Sequence, residues 1–288
     1  MTTRVMNRSA RGHRWLAAAL LAAGVAGPAL GAHAARGVTM KGSDTMVILG
    51  QRWAEDYMTA NPGAIIQVTG GGSGTGIAAL INGTADICMS SRPMKEDEKK
   101  KLRDRFQTMG TEIAVAKDGL AVYVHESSAL KQLTLAQLRD IYLGATTNWK
   151  QIGGPDAPIV LYGRENSSGT YVYFKDHVLG GKDFSARCQT LPGTAAVVNA
   201  VSKDPKGIGY GGAAYAKGVR EVGIQRDAAA PAVLPSEATV RDGSYPISRD
   251  LYFYTRQKPA GDLKKFVDFA LSAAGQAVVT KVGYFPVR

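Results

Sequence analysis

The sequence predicts an α/β protein built from two units, each a mainly parallel sheet flanked by helices. Three observations predict it. Short apolar runs alternate with helix-period patterns along most of the chain. Glycine- and hydroxyl-rich segments recur between a strand and the helix that follows it. Two apolar runs at 113–116 and 120–124, joined by Lys117-Asp118-Gly119, close one strand–helix set and open another.

The elements follow in order. A strand at 37–41 leads into a helix over 44–60, and a strand at 64–69 leads through a glycine-rich loop into a short helix over 76–82. A strand at 85–89 and a charged helix at 95–105 complete the set; within that helix Lys99-Lys100-Lys101 follows Glu96 and Glu98, the pattern of a solvated face. Beyond the two central strands, Thr134 is positioned to cap a helix running through Leu143. Then come a strand at 159–162, a helix at 168–178, a helix at 194–202 and a strand at 207–210. A Pro- and Ala-rich loop at 228–235 precedes a strand at 251–255 and a final helix at 259–273. No internal repeat or low-complexity tract interrupts the pattern. With 288 residues, 45% of them hydrophobic and 20% charged, the chain is long enough for one large domain or two ordinary ones.

Residues 1–34 read as an export signal. Arg4, Arg8, Arg11 and Arg14 form a basic leader, the apolar run at 15–30 is broken by Gly24, Gly27 and Pro28, and Ala32-His33-Ala34 supplies a small-x-small cleavage pattern. That run is short for a membrane anchor, and no cysteine sits at the cleavage site to carry a lipid. Cleavage near Ala34 removes four arginines and lowers the formal charge from +11 to +7. The remaining excess suits an anionic ligand. Its basic residues are scattered and do not interleave with aromatics, which argues against nucleic acid. The mature chain keeps His125 and His177, with no Cys or His pairing at ligand spacing, so neither a metal nor another cofactor is expected. Cys88 and Cys188 leave two readings open, a disulfide or two separate thiols.

Three segments share one chemistry. Gly42-Ser43-Asp44-Thr45-Met46, Gly70-Gly71-Gly72-Ser73-Gly74-Thr75-Gly76 and Arg164-Glu165-Asn166-Ser167-Ser168-Gly169-Thr170 each lie between a predicted strand and a predicted helix. A helix N-terminus offers unpaired N–H donors and partial positive charge. Glycine allows close backbone approach, and Ser or Thr adds hydroxyl donors. The combination suits an oxyanion. Each segment alone is equally a plain helix cap. Arg164 adds a fork able to hold two anion oxygens, or else an ion pair with Glu165 or another acid.

These segments, together with Ala85-Asp86-Ile87-Cys88-Met89-Ser90-Ser91-Arg92, resemble the phosphate-binding proteins of bacterial ABC-type phosphate importers. The resemblance runs from Gly37 to Val287. It implies a two-lobed, type II periplasmic-binding-protein clamp, with 35–116 plus 252–288 as the first lobe and 117–251 as the second. It also implies a monomer in the periplasm that takes inorganic phosphate as ligand and a membrane ABC permease as partner. By match of motif, Thr45, the Met46 backbone N–H and Ser73 donate from the first lobe, with Ser43 and Thr75 as additional donors. Arg164, Ser168, Gly169 and Thr170 close from the second. Ser91 departs from the pattern, since many members carry an aspartate there that accepts from a protonated phosphate oxygen. Arg92 either adds positive charge at the cleft or pairs with Asp86 or Glu96. Another oxyanion, such as sulfate or molybdate, and a sensory role stay open beside phosphate import. A hydrolase is disfavoured because Thr75 replaces the second glycine of a nucleophile elbow around Ser73. A nucleotide P-loop is disfavoured because Ile77-Ala78 stand where Lys-Ser/Thr is required.

Overall fold

The computed structural model describes residues 37–287, so the expected export signal at 1–34 lies outside the described residues. Strands and helices alternate through β1 (Val38–Gly42), α1 (Val47–Ala60), β2 (Ile66–Thr69), α2 (Ser73–Asn82), β3 (Ile87–Ser90), α3 (Glu96–Phe106) and β4 (Thr111–Val124). They continue through β5 (Gln132–Thr134), α4 (Leu135–Leu143), β6 (Val160–Arg164), α5 (Gly169–His177), β7 (Gln189–Leu191), α6 (Thr194–Val201) and β8 (Gly207–Gly212). The chain ends with β9 (Arg220–Gln225), α7 (Glu237–Arg241), β10 (Ser248–Thr255), α8 (Gly261–Leu271) and α9 (Ala273–Val282).

The strand order is β2-β1-β3-β10-β4-β8-β6-β7, with β9 pairing β4 and β5 off that path. β1 pairs in parallel with β2 and β3, and β6 with β7 and β8. The antiparallel pairs all involve the two long strands β4 and β10. Two large apolar clusters divide along these strands. One gathers Met40, Leu49, Trp53, Val115, Ala116, Leu251 and Phe266; the other gathers Leu120, Val122, Leu138, Phe174, Tyr210 and Ile247. The division falls at 117–119 on β4 and at 248–250 on β10, where the two strands lie side by side.

Here the expectation of two central strands needs correction. β4 is one strand of fourteen residues, and Lys117-Asp118-Gly119 continues it. The polar residues are there because they are paired across to β10: Lys117 reaches Asp250 at 2.7 Å, and Asp118, fully buried, reaches Arg249 at 2.8 Å. The expected final helix at 259–273 is α8, and a further helix, α9, follows it. Ser272 ends α8 and caps α9, its Oγ accepting from the Gly275 N–H at 3.2 Å. Cys88 and Cys188 are free thiols, Cys88 fully buried, and burial pushes both above the ordinary thiol value. Among the described residues no helix is long and apolar enough to cross a membrane.

Local capping matches the reading closely at α4. Thr134 Oγ1 accepts from the Gln137 N–H at 3.1 Å, and Gln137 Oε1 accepts from the Thr134 N–H at 2.9 Å, a reciprocal capping box. Thr134→Ala should therefore cost about 1 kcal/mol. A chain of this size should lose roughly 2–4 °C of melting temperature, measurable by thermal denaturation followed by circular dichroism. An unchanged midpoint would show that the Thr134 hydroxyl contributes nothing to stability.

Candidate functional site

The strand–helix junctions converge. Ser43 ends the turn after β1, its N–H donating to the Met89 carbonyl at 2.9 Å. Its Oγ donates to Ser91 Oγ at 2.9 Å, and Ser91 Oγ lies 3.3 Å from Ser73 Oγ, which accepts from the Ser91 N–H at 3.0 Å. Thr45 Oγ1 lies 2.9 Å from Thr170 Oγ1, although 125 residues separate the two in sequence. All of these side chains are buried, none more than 2% exposed.

Gly169 opens α5 against this group. A Cβ at Gly169 would overlap Ser73 Oγ and come within 2.7 Å of Ser91 Oγ, so only glycine brings the helix end this close. Beside it the Gly74 N–H donates to the Ser167 carbonyl at 2.9 Å, and a Cβ at Gly72 would sit 2.5 Å from that same oxygen. The glycine-rich loop and the Ser167 turn are therefore joined backbone to backbone.

Not every predicted residue faces the group in the same way. The Met46 N–H donates to the Ser43 carbonyl at 2.9 Å within the turn, and the Met46 side chain is core. Thr75 Oγ1 donates to the Gly71 carbonyl at 2.6 Å, bracing the glycine loop from inside α2. Ser168 Oγ caps α5, accepting from the Thr170 and Tyr171 N–H groups at 3.1 and 3.3 Å. Arg164 uses four of its five N–H groups on protein: Nε and Nη2 on Glu165, Nη2 on Asp44 at 2.9 Å, and Nη1 on Thr194 at 2.8 Å. One Nη1–H is left over. Asp44 ties this guanidinium to the glycine loop, because its other oxygen accepts from the Gly71 N–H at 2.8 Å. Burial acts to raise the Glu165 pKa, but the Arg164 hydrogen bonds and charge outweigh it and hold the carboxylate below its ordinary value.

Arg92 does not reach this group. It forms a fork with Glu98, Nη2 to Oε1 at 2.7 Å and Nη1 to Oε2 at 2.8 Å, rather than with Asp86 or Glu96. Asp86 instead pairs with Arg256, and Glu96 with Lys99.

Sequence reasoning missed Asp118 and Arg249. Arg249 Nη2 donates to Asp118 Oδ2 at 2.8 Å and to Thr170 Oγ1 at 3.0 Å, and lies 3.5 Å from Thr45 Oγ1. Burial pushes the Asp118 carboxyl above its ordinary value, and the Arg249 charge opposes that rise. The only available signal was an Arg-Asp pair at 249–250 just ahead of an apolar strand, which carries no hint of a partner 131 residues away.

Buried hydroxyls, a helix N-terminus and the Arg249 guanidinium, with Arg164 linked to the glycine loop through Asp44, are suited to holding an anion. The two histidines among the described residues make local bonds, His125 to Ser127 at 2.8 Å and His177 to the Tyr173 carbonyl at 3.0 Å.

The chain matches the family model described as PBP superfamily domain over residues 27–274. It is 35% identical over 268 residues to "Phosphate-binding protein PstS" of Pseudomonas aeruginosa (PAO1), covering 85% of this chain and 81% of that one. A PstS of Staphylococcus epidermidis is 34% identical over 239 residues, covering 80% and 71%. Among solved structures, one with bound phosphate from Clostridium perfringens, provisionally named a phosphate ABC transporter substrate-binding protein, superposes with a TM-score of 0.80 at 31% identity. The match covers 88% of this chain and 100% of that one. An ABC-type phosphate transport receptor from Vibrio cholerae gives 0.69 at 27% identity, covering 86% and 99%. The chain belongs to the PBP superfamily and, within it, to the PstS-type phosphate-binding proteins, with their type II periplasmic-binding fold.

Proposed function

We propose that this chain captures inorganic phosphate between two lobes and delivers it to a membrane ABC importer, acting as a binding protein and not as an enzyme. The observation that carries the reading is the convergence of Ser43, Thr45, Ser73, Ser91, Gly169 and Thr170, from four strand–helix junctions, into one buried group. The phosphate named for its relatives supports the same anion. In this reading residues 35–116 plus 252–288 form one lobe and 117–251 the other, with the hinge at the side-by-side crossing of β4 and β10. Arg164 and Ser168 complete the second-lobe side, while the Met46 N–H and Thr75 shape the first-lobe turns. Residues 1–34 direct export and are cleaved near Ala34, and the mature protein works as a periplasmic monomer.

The energetics suffice. Hydrogen bonds to a charged group contribute roughly 1.5–3 kcal/mol each. About eight of them give a gross term of roughly 12–24 kcal/mol, which covers an association cost of about 4 kcal/mol or more and reaches the roughly 8 kcal/mol net that micromolar binding requires. No metal is needed.

Ser91 favours a second reading, a broader oxyanion site, because a hydroxyl in place of a carboxylate repels sulfate less. Calorimetric titration with phosphate, repeated in the presence of sulfate, separates the two. Saturable one-to-one phosphate binding that millimolar sulfate leaves unchanged is expected. Equal competition by sulfate would favour the broader site. No heat at millimolar phosphate, with equilibrium dialysis also negative, would end the phosphate reading.

A further inference from the structure

We propose that Arg249 is a second guanidinium that binds the anion directly, with Asp118 as its positioning residue. This inference rests on the phosphate reading above. Arg249 lies on β10 where that strand pairs with β4, directly opposite Asp118 in the antiparallel register. Side chains opposite one another on paired strands share a face, which fixes the approach of the two groups. The guanidinium carbon also lies over the Tyr173 ring, 5.4 Å from its centroid, and the Tyr173 hydroxyl is itself anchored on the Ser248 carbonyl at 2.6 Å.

The bonding pattern is not that of a purely structural ion pair. Such a pair settles into two parallel N–H···O bonds, one to each carboxylate oxygen. Here Nε and Nη2 both converge on Asp118 Oδ2, at 3.1 and 2.8 Å. Asp118 Oδ1 and Arg249 Nη1 are left buried without a hydrogen-bond partner. An unmade donor on a buried cation is costly, and native interiors retain one only where something else meets it. The same guanidinium touches Thr170 Oγ1 and approaches Thr45 Oγ1, the two hydroxyls that come together from distant segments. An anion seated against those threonines would meet Nη2 and the unpartnered Nη1 together. Arg164, by contrast, has one N–H remaining. Of the two guanidiniums, Arg249 carries more unused donor capacity toward a bound oxyanion.

The test is phosphate calorimetry on the purified protein and on Arg249→Gln, Arg249→Lys, Asp118→Asn and the Arg249→Gln/Asp118→Asn double variant, each checked by thermal melting. Arg249→Gln should lose roughly 100-fold in affinity, about 2.7 kcal/mol. Asp118→Asn should lose about tenfold, and the double variant should bind no worse than Arg249→Gln, because Asp118 acts through the arginine. If Arg249→Gln fails to fold, Arg249→Lys decides, since it keeps the charge against Asp118 but loses the fork; a tenfold loss there supports the inference. Parental binding that survives in Arg249→Gln or Arg249→Lys within threefold would overturn it and leave the phosphate reading standing. A parent protein that binds no phosphate would instead remove the reading on which it rests.

Discussion

Gly169→Val should weaken phosphate binding at least 1,000-fold while the protein still melts cooperatively. The helix end that Gly169 opens lies against the Ser73 and Ser91 hydroxyls, and a Cβ there would overlap the first and stand 2.7 Å from the second. Real Cβ atoms do not approach this closely, so a branched side chain must push α5 away from the glycine loop. The shift breaks three things at once: the Gly74 N–H bond to Ser167 at 2.9 Å, the Thr45–Thr170 contact and the aim of the α5 N-terminal amides. In the proposed site these groups meet one small ion from opposite sides, so a displacement of even an ångström removes several bonds together. Calorimetry should show no saturation at millimolar phosphate. Retention of affinity within tenfold would mean that the anion does not sit where α5 meets Ser73.

How much of this was legible in the sequence depended on range. Thr134 caps its helix from within three residues, so residue type alone located it, and Ser168, expected on the anion, likewise caps α5. The alternation of apolar runs and helical patterns is a local signal too, and it yielded the α/β class and three of the four junctions of the site. Lys117-Asp118-Gly119 read as a connector because charge inside an apolar run usually means solvent. What keeps it in the strand is Arg249 and Asp250 on β10, partners more than 130 residues away. The same distance hid Arg249 itself. Short strands such as β5 and β7, three residues each, carry too little pattern to stand out and exist because a neighbouring strand supplies their hydrogen bonds. Arg92 shows the converse: its position beside the site motif suggested the cleft, but Glu98, in the first turn of α3, neutralises it within its own segment.

Arg164→Ala should cost affinity more than loss of its one remaining N–H explains, again at least 1,000-fold, about 4 kcal/mol. The guanidinium is essentially inaccessible, 1% exposed in its side chain, and lies between the carboxylates of Asp44 and Glu165, which are 19% and 26% exposed. Truncation leaves both charges uncompensated at the edge of an anion site. Removing one partner of a buried pair is expensive mainly because of the charge left behind, of order 3–5 kcal/mol where burial is complete. Two residual negative charges also repel an incoming phosphate through a medium less screening than water. The tie between Arg164 and Asp44 is lost as well, and with it a link from β6 to the glycine loop through Asp44 and the Gly71 N–H. Adding Glu165→Gln to Arg164→Ala should act in the opposite direction and restore part of the lost affinity, because it removes one repelling charge. An arginine serving only as a donor would give no such recovery. A double variant as weak as Arg164→Ala, or a single variant within tenfold of the parent, would show that the charge balance around Arg164 does not govern the site.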